Sequence, residues 1–233
     1  MNDTILRVFI GYDPVENVAW HTMVQSIIDN SSIPIAIIPV NTRNLKGIYN
    51  RERDGKQSNE FSFTRFLVPY LSGYQGYSVF FDCDMMLRAD VSELLEVINR
   101  QPGKAVYVVK HDYVPKNEIK YLGTVQYSYP RKNWSSVVLW NCSHPKNKIV
   151  DPNFVNSQTG LVLHRFKWLD DNDIGDLDIR WNWLVGEYEN PPEDVKNVHW
   201  TIGGPYFNEY SNVPYSDEWR VVKEKVVYCK QLK

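Results

Sequence analysis

Cysteine is scarce in this chain. The three present, Cys83, Cys142 and Cys229, are an odd number, widely spaced, with no Cys-x-x-Cys pair. They make neither a disulfide framework nor a zinc site, and they point to a reducing compartment. A dominant charge is missing too: 26 Lys and Arg stand against 28 Asp and Glu, a formal net charge of −2, with no sign of a general nucleic-acid binder. No apolar stretch approaches the roughly 18 residues of a membrane span. The segment MNDTILRVFIGYD has no basic region ahead of its short apolar run, so it does not read as a secretory leader. The expectation is a cytoplasmic protein without a transmembrane segment, peripheral membrane contact being left open. Internal repeats, low-complexity tracts and a domain linker are also lacking.

What is present suits one large α/β domain, or at most two small ones, with a substantial core: 233 residues, 43% hydrophobic and 23% charged. Aromatic residues are abundant, with eight Trp and fifteen Tyr. Most belong in the core, and the surplus also fits a site that stacks rings of sugars or bases.

The most informative stretch is Ser78 to Asp84, SVFFDCD. Ser78 to Phe81 reads as a buried strand of a parallel sheet. Asp82 and Asp84 follow at i, i+2 spacing, which in an extended backbone aims both carboxylates at one spot and Cys83 away from it. That spot lies past a strand's carboxyl end, where open α/β sheets bind ligands. Two like charges so close need a cation or a proton between them. Mg²⁺ commonly takes one or two carboxylates together with substrate phosphates, so the motif suggests a metal–diphosphate site. The plainer reading is a polar turn with two solvated aspartates.

Upstream, Leu6 to Ile10 reads as a strand ended by Gly11. Asp13 and Glu16 form an expected capping box, with Pro14 at the first helical position, for a helix running to about Ile28. Ile35 to Val40 completes a β-α-β unit, hence a parallel pair. Gly11, Tyr12 and Asp13 therefore also lie at a strand's carboxyl end, where a nucleotide base or ribose fits; for Asp13, capping is at least as good a reading. Arg43, Lys46, Arg51, Arg53 and Lys56 follow in a polar segment, read as a solvated loop, with a mobile flap near an anionic ligand as the alternative. The run Phe61 to Leu71 reads as a helix with Arg65 on an apolar face. A buried arginine needs an anionic partner, either the aspartates past the next strand or a phosphate.

Further on, Asp90 and Glu93 suggest a second capping box for a helix through about Asn99. Ala105 to Val109 and Ser135 to Trp140 read as strands. Residues 112–132, with Tyr113, Tyr121, Tyr127 and Tyr129, have no clear period and suit an acceptor-side loop. Five aspartates between Asp170 and Asp178 read as a solvated loop. Trp181 and Trp183 either line a pocket or fill the core. His199 lies in an apolar stretch ahead of Gly203 and Gly204; a lone histidine there is more often structural than a ligand.

Taken together, these residues resemble a family. Gly-Tyr-Asp after the first strand, Thr64-Arg65, SVFFDCD, the Ser-Ser-Val-Val-Leu-Trp-Asn strand, the aspartate-rich segment before Trp-Asn-Trp and the late histidine followed by glycines look like the GT-A glycosyltransferases, most closely glycosyltransferase family 8. The resemblance spans roughly residues 6 to 207. It implies a GT-A fold in a single domain over 1–233, with a mixed, mostly parallel central sheet and flanking helices, a nucleotide-binding half over about 1–110 and an acceptor-side half over about 111–233. It implies Mn²⁺ (or Mg²⁺) held by Asp82, Asp84 and His199. Arg65 would contact the donor sugar or the first aspartate, Tyr12 and Asp13 the uracil of a UDP-sugar, and the Cys83 backbone the ribose. The acceptor would be a carbohydrate or glycoconjugate, and the anomeric configuration would be retained. Gly203 belongs to the late motif that clamps the diphosphate. Here it comes one position later than in the family, and Pro205-Tyr206 lacks the family's lysine. Trp134-Ser135-Ser136 replaces the family's Asn-Ala-Gly, so sugar specificity need not carry over.

Attack at an anomeric carbon needs a group that steadies developing positive charge. Asp178 is the candidate, against its plainer reading as a solvated aspartate. Two rival functions remain at this point. One is a phosphatase of the haloacid dehalogenase type using Asp82 as nucleophile, although that motif normally lies near the N-terminus. The other is a non-catalytic sugar-binding protein.

Overall fold

The computed structural model describes residues 5–53, 57–116, 121–123, 128 and 130–228. Residues 1–4, Lys56, Tyr127, Tyr129 and Cys229 lie outside the described residues.

Among the described residues, nine strands form two sheets. The larger uses β1 (Leu6–Gly11), β2 (Ile35–Val40), β3 (Tyr77–Phe81), β5 (Val106–Val108), β6 (Val137–Asn141) and β7 (Ile174–Asp176), in the order β2-β1-β3-β6-β5-β7. Three of its five neighbouring pairs are parallel; β6 runs antiparallel to both neighbours. The smaller sheet has the order β4-β9-β8, from β4 (Met85–Leu87), β8 (Trp183–Leu184) and β9 (Asn197–His199). Helices α1 (Asn17–Asp29), α2 (Val68–Leu71), α3 (Glu93–Arg100), α4 (Pro152–Ser157), α5 (Gly160–His164) and α6 (Ser216–Val227) flank them.

The strands follow from composition. Val8 to Ile10 and Val79 to Phe81 are uninterrupted apolar runs, fully buried, as strands covered on both faces require. Pro39 sits in β2 at the sheet's edge, where a missing N–H breaks no ladder. Helix α1 buries Ala19, Thr22, Met23, Ser26 and Ile27, a stripe at 3.6-residue period. Val18 and Ile28, although apolar, lie outside that stripe and are exposed. Thr22 and Ser26 tolerate burial because each hydroxyl donates to a carbonyl of its own helix, at 2.8 and 2.7 Å. Ser26 Oγ also accepts from the Leu87 amide at 3.0 Å, which ties α1 to β4.

Both expected capping boxes are absent in that form. Asp13 and Asp90 accept from the amides two residues on, Val15 and Ser92, but neither partner carboxylate turns back. Glu16 is buried and Glu93 pairs with Lys196. The segment 61–71 is a 3-10 turn at Thr64–Leu67 followed by the single turn α2, and not one continuous helix. Residues 41–53 are pinned: Arg51 lies over the Phe63 ring at 3.8 Å and donates to carbonyls of Val155 and Gln158. The aspartate-rich run contains β7, hydrogen-bonded to β5. Trp181 and Trp183 are both buried, and they fill two different cores. Trp181 belongs to the large one around the six-stranded sheet. Trp183 belongs to a smaller one with Met86, Val185, Val195, Val198, Trp200 and Trp219.

Gly11 ends β1 against the face of Phe61, where a Cβ would come within 2.3 Å of the ring. Nothing behind a fully buried Phe61 yields easily. Gly11→Ala is expected to lower stability by about 1–3 kcal/mol, as overpacked cores do; a urea midpoint equal to wild type would refute this.

Candidate metal centre

The chain leaves the large sheet at Phe81, bends through Asp82, Cys83 and Asp84, and enters the small sheet at Met85. The bend is held from both sides: the Asp82 amide donates to Ser136 O and the Trp200 amide to Asp84 O, each at 3.0 Å. The β4–β9 register pairs Met85 with His199. That register brings a residue over a hundred positions away beside the aspartates. Asp82, Asp84 and His199, all buried, offer ligand atoms within 4.8 Å of one another. His199 Nε2 lies 3.3 Å from Asp84 Oδ1.

Arg65 closes one side. Its Nη1 is 2.8 Å from Asp82 Oδ1 and 3.0 Å from Ser135 O, with both side chains buried. The Phe61 and Phe80 rings lie 5.2 and 5.3 Å from the guanidinium carbon. Burial pushes the Asp82 carboxyl up to about 6; Arg65 opposes that shift and Asp84 adds to it. The donor set, two carboxylate oxygens and an imidazole nitrogen, suits Mn²⁺ better than Mg²⁺, which prefers oxygen.

Glu16 is a third buried carboxyl nearby. Its Oε1 accepts from Tyr206 OH at 3.0 Å, and Cys83 Sγ lies 3.6 Å from Oε2. Burial, and next Asp84, hold its pKa well above the usual carboxylate range. The Cys83 thiol points to Glu16, and burial raises its pKa too, so it is an inert thiol.

The other expected residues are placed as follows. Asp13 accepts from Val15 N with one oxygen, at 2.9 Å, and from Glu60 N with the other, at 3.0 Å. Tyr12 sets its ring edge-on to Trp20, and its hydroxyl lies 3.3 Å from Asn17 Oδ1. Gly203 has φ +156°, a conformation for glycine, and a Cβ there would strike the Tyr210 ring at 2.5 Å. Asp178 caps the turn at Ile179–Asn182 and is half-exposed. Its carboxylate accepts from the Arg180 amide and guanidinium at 2.9 and 2.8 Å, so it stands outside the three-residue cluster.

Two residues were passed over in the sequence. Asn182, fully buried between Trp181 and Trp183, places Oδ1 2.8 Å from His199 Nδ1. His111 follows β5, with Nδ1 2.7 Å from Tyr188 OH and its ring stacked on Tyr188. Burial, with His199 adding, lowers its pKa to about 3. A polar residue enclosed by tryptophans was the available signal for Asn182; His111 carried none.

The architecture is that of the GT-A fold. The solved bifunctional glycosyltransferase WbbM superposes with a TM-score of 0.61 at 14% identity, over 94% of this chain. The chain spans about half of that protein, 52% of its length. The galactosyltransferase LgtC, solved with donor and acceptor sugar analogs, superposes with a TM-score of 0.58 at 10% identity, over 97% of this chain and 98% of that one. No protein-family model matches the chain. Protein CDI of Arabidopsis thaliana is 48% identical over 219 residues, 91% of this chain and 84% of that protein, and the chain belongs to the family of Protein CDI. Among the described residues, no helix is long and apolar enough to cross a membrane.

The raised Asp82 value has a consequence for stability without metal. The folded chain holds that proton up to about pH 6, against about 3.8 for an ordinary aspartate. The contribution is complete below about pH 4 and is lost as pH rises through 6. His111 and His164, both lowered to about 3 with burial as the first cause, act the opposite way. Comparison with Asp82→Asn isolates the aspartate. In chelator, wild type should gain about 1 kcal/mol relative to that variant between pH 7.5 and pH 5. Parallel urea curves at the two pH values would refute it.

Proposed function

We propose that this chain is a metal-dependent glycosyltransferase, of the family 8 kind, that moves a hexose from a nucleotide-sugar donor, UDP-linked, to a carbohydrate or glycoconjugate acceptor with retention. The observation that carries the reading is the convergence of Asp82, Asp84 and His199 in one buried spot on a GT-A fold. In the reaction, the bond from the anomeric carbon to the β-phosphate oxygen breaks, and that oxygen keeps the electron pair. An acceptor hydroxyl forms the new glycosidic bond, and its proton passes to the departing diphosphate. Mn²⁺ or Mg²⁺, when bound, offsets the charge that builds on the phosphate oxygens.

Within this reading Asp82, Asp84 and His199 hold the metal, and Arg65 fixes Asp82 by a buried ion pair while facing the donor. Gly11, Tyr12 and Asp13 line the base end, the Cys83 backbone serves the ribose, and Gly203 gives the late segment its backbone shape. Asp178 is retained as the group that steadies the anomeric carbon, although Arg180 occupies its carboxylate. The whole chain acts as one domain, its halves meeting near residue 110. The fold does not decide among donors, and Ser135, hydrogen-bonded to His164 at 2.8 Å, makes the sugar pocket this chain's own.

The phosphatase alternative is weaker. It needs Asp82 free to attack phosphorus, whereas Asp82 is ion-paired with Arg65 and sits within the three-residue cluster. A panel of UDP-sugars with Mn²⁺ should give slow UDP release to water without an acceptor, and none in chelator. Asp84→Asn should cut that rate by at least about 10²-fold, the scale for losing one electrostatic element of a site. Brisk phosphate release from p-nitrophenyl phosphate, or donor binding of equal strength in chelator, would overturn the reading.

A further inference from the structure

A chain of hydrogen bonds runs from the backbone at Asn133 to the candidate ligand His199, and the direction of each hydrogen can be worked out. The Asn133 carbonyl can only accept. Ser136 Oγ lies 2.6 Å from it, so Ser136 donates its single hydrogen there. With that hydrogen occupied, Ser136 Oγ must accept from the Asn182 amide atom 2.8 Å away, which is therefore Nδ2. The same Nδ2 lies 3.3 Å from the Asn133 carbonyl, which requires the same orientation. Asn182 Oδ1 then faces His199 Nδ1 at 2.8 Å, and the hydrogen between them can only belong to the imidazole. In the neutral ring Nε2 is bare, and it is Nε2 that faces Asp84 at 3.3 Å. A lone pair turned toward a carboxylate is an arrangement that a cation favours.

The three side chains of the relay are buried: Ser136, Asn182 and His199 are each at most 2% exposed. Asn133 is held at φ +61°, in the left-handed region that asparagine enters more readily than other side chains. Its side chain is tied down as well, donating to Tyr113 OH at 2.7 Å.

We propose that Asn182 and Ser136 are positioning residues for His199: anchored on the Asn133 carbonyl, they hold the imidazole in the Nδ1–H form with Nε2 presented to a divalent cation. This inference rests on the metal reading of Asp82, Asp84 and His199. Outer partners of metal-bound histidines typically change metal affinity by 10- to 100-fold.

The test has two readouts, neither of them turnover. Mn²⁺ alone is titrated into the full chain and the free ion followed by EPR, for wild type, Asn182→Leu, Asn182→Asp and Ser136→Ala. Long-range ¹H–¹⁵N spectra of the metal-free chain, with His199→Gln to assign the ring, report the tautomer. Wild-type His199 is expected as Nδ1–H. Asn182→Leu should weaken Mn²⁺ binding by about 10- to 100-fold, Ser136→Ala by less, and Asn182→Asp, still an acceptor for Nδ1–H, should restore affinity. Should Asn182→Leu fail to fold, Ser136→Ala and the wild-type spectrum still decide. A His199 Nε2–H tautomer in wild type, or unchanged Mn²⁺ affinity in the folded Asn182→Leu and Ser136→Ala variants, overturns the proposal. Absence of Mn²⁺ binding in wild type would instead sink the metal reading, while the tautomer spectrum would still report on the relay.

Discussion

Carboxylates repel one another strongly where water cannot separate them, and this chain gathers three of them, Asp82, Asp84 and Glu16, into one dry corner. Coulomb energy in such surroundings is several-fold larger than at a surface. Arg65 compensates a single charge, from the Asp82 side. Burial, with Asp84 adding, raises the Glu16 pKa, and the hydrogen bonds that Tyr206 and Cys83 donate to its carboxylate oppose that rise. Asp84, 3.3 Å from His199 Nε2, completes a donor set that suits a cation. The large core around β3 and the small core around β9 are both built up to this corner, so packing holds the charges where a polar solvent would let them separate.

The parts legible in the sequence were those written in a short window. Val8–Ile10 and Val79–Phe81 are continuous apolar runs buried on both faces, and Ile35–Val40 is an apolar run at the sheet's edge, which is why these strands read plainly. Asp82 and Asp84 were legible for the same reason: spacing within three residues carries the message. Strands β4, β8 and β9 were not legible, because two or three residues have no period of their own and become strands only by pairing with one another. Glu16 was misread as a capping residue. Its position after Asp13 fits a cap, but tertiary burial against Tyr206, 190 positions away, decided its orientation. Arg65 was readable as a charge in need of a partner, whereas Asn182 offered only its place between two tryptophans, since an amide is satisfied by many neighbours.

At 10–14% identity to WbbM and LgtC, what is shared is the fold. The local substitutions in this chain are consistent with one another. Pro205-Tyr206 lacks the lysine of the family 8 pattern, and the Tyr206 hydroxyl reaches back to α1's flank at Glu16. Where that pattern has Asn-Ala-Gly, this chain has Ser135 and Ser136: the first bonds His164 and the second supports Asn182. The late segment and the loop before β6 are thus anchored through this chain's own contacts.

The bend at Asp82–Asp84 joins the consecutive strands β3 and β4, which lie in different sheets. A cation held there would clamp the last residues of one sheet to the middle of the other, since His199 arrives on β9. Loading the site and docking the two sheets would then be one equilibrium seen from two ends. Ligand occupancy would report on the seam between the sheets, and loosening of the small sheet, even at distant Trp219, would register as a weaker grip on the ion.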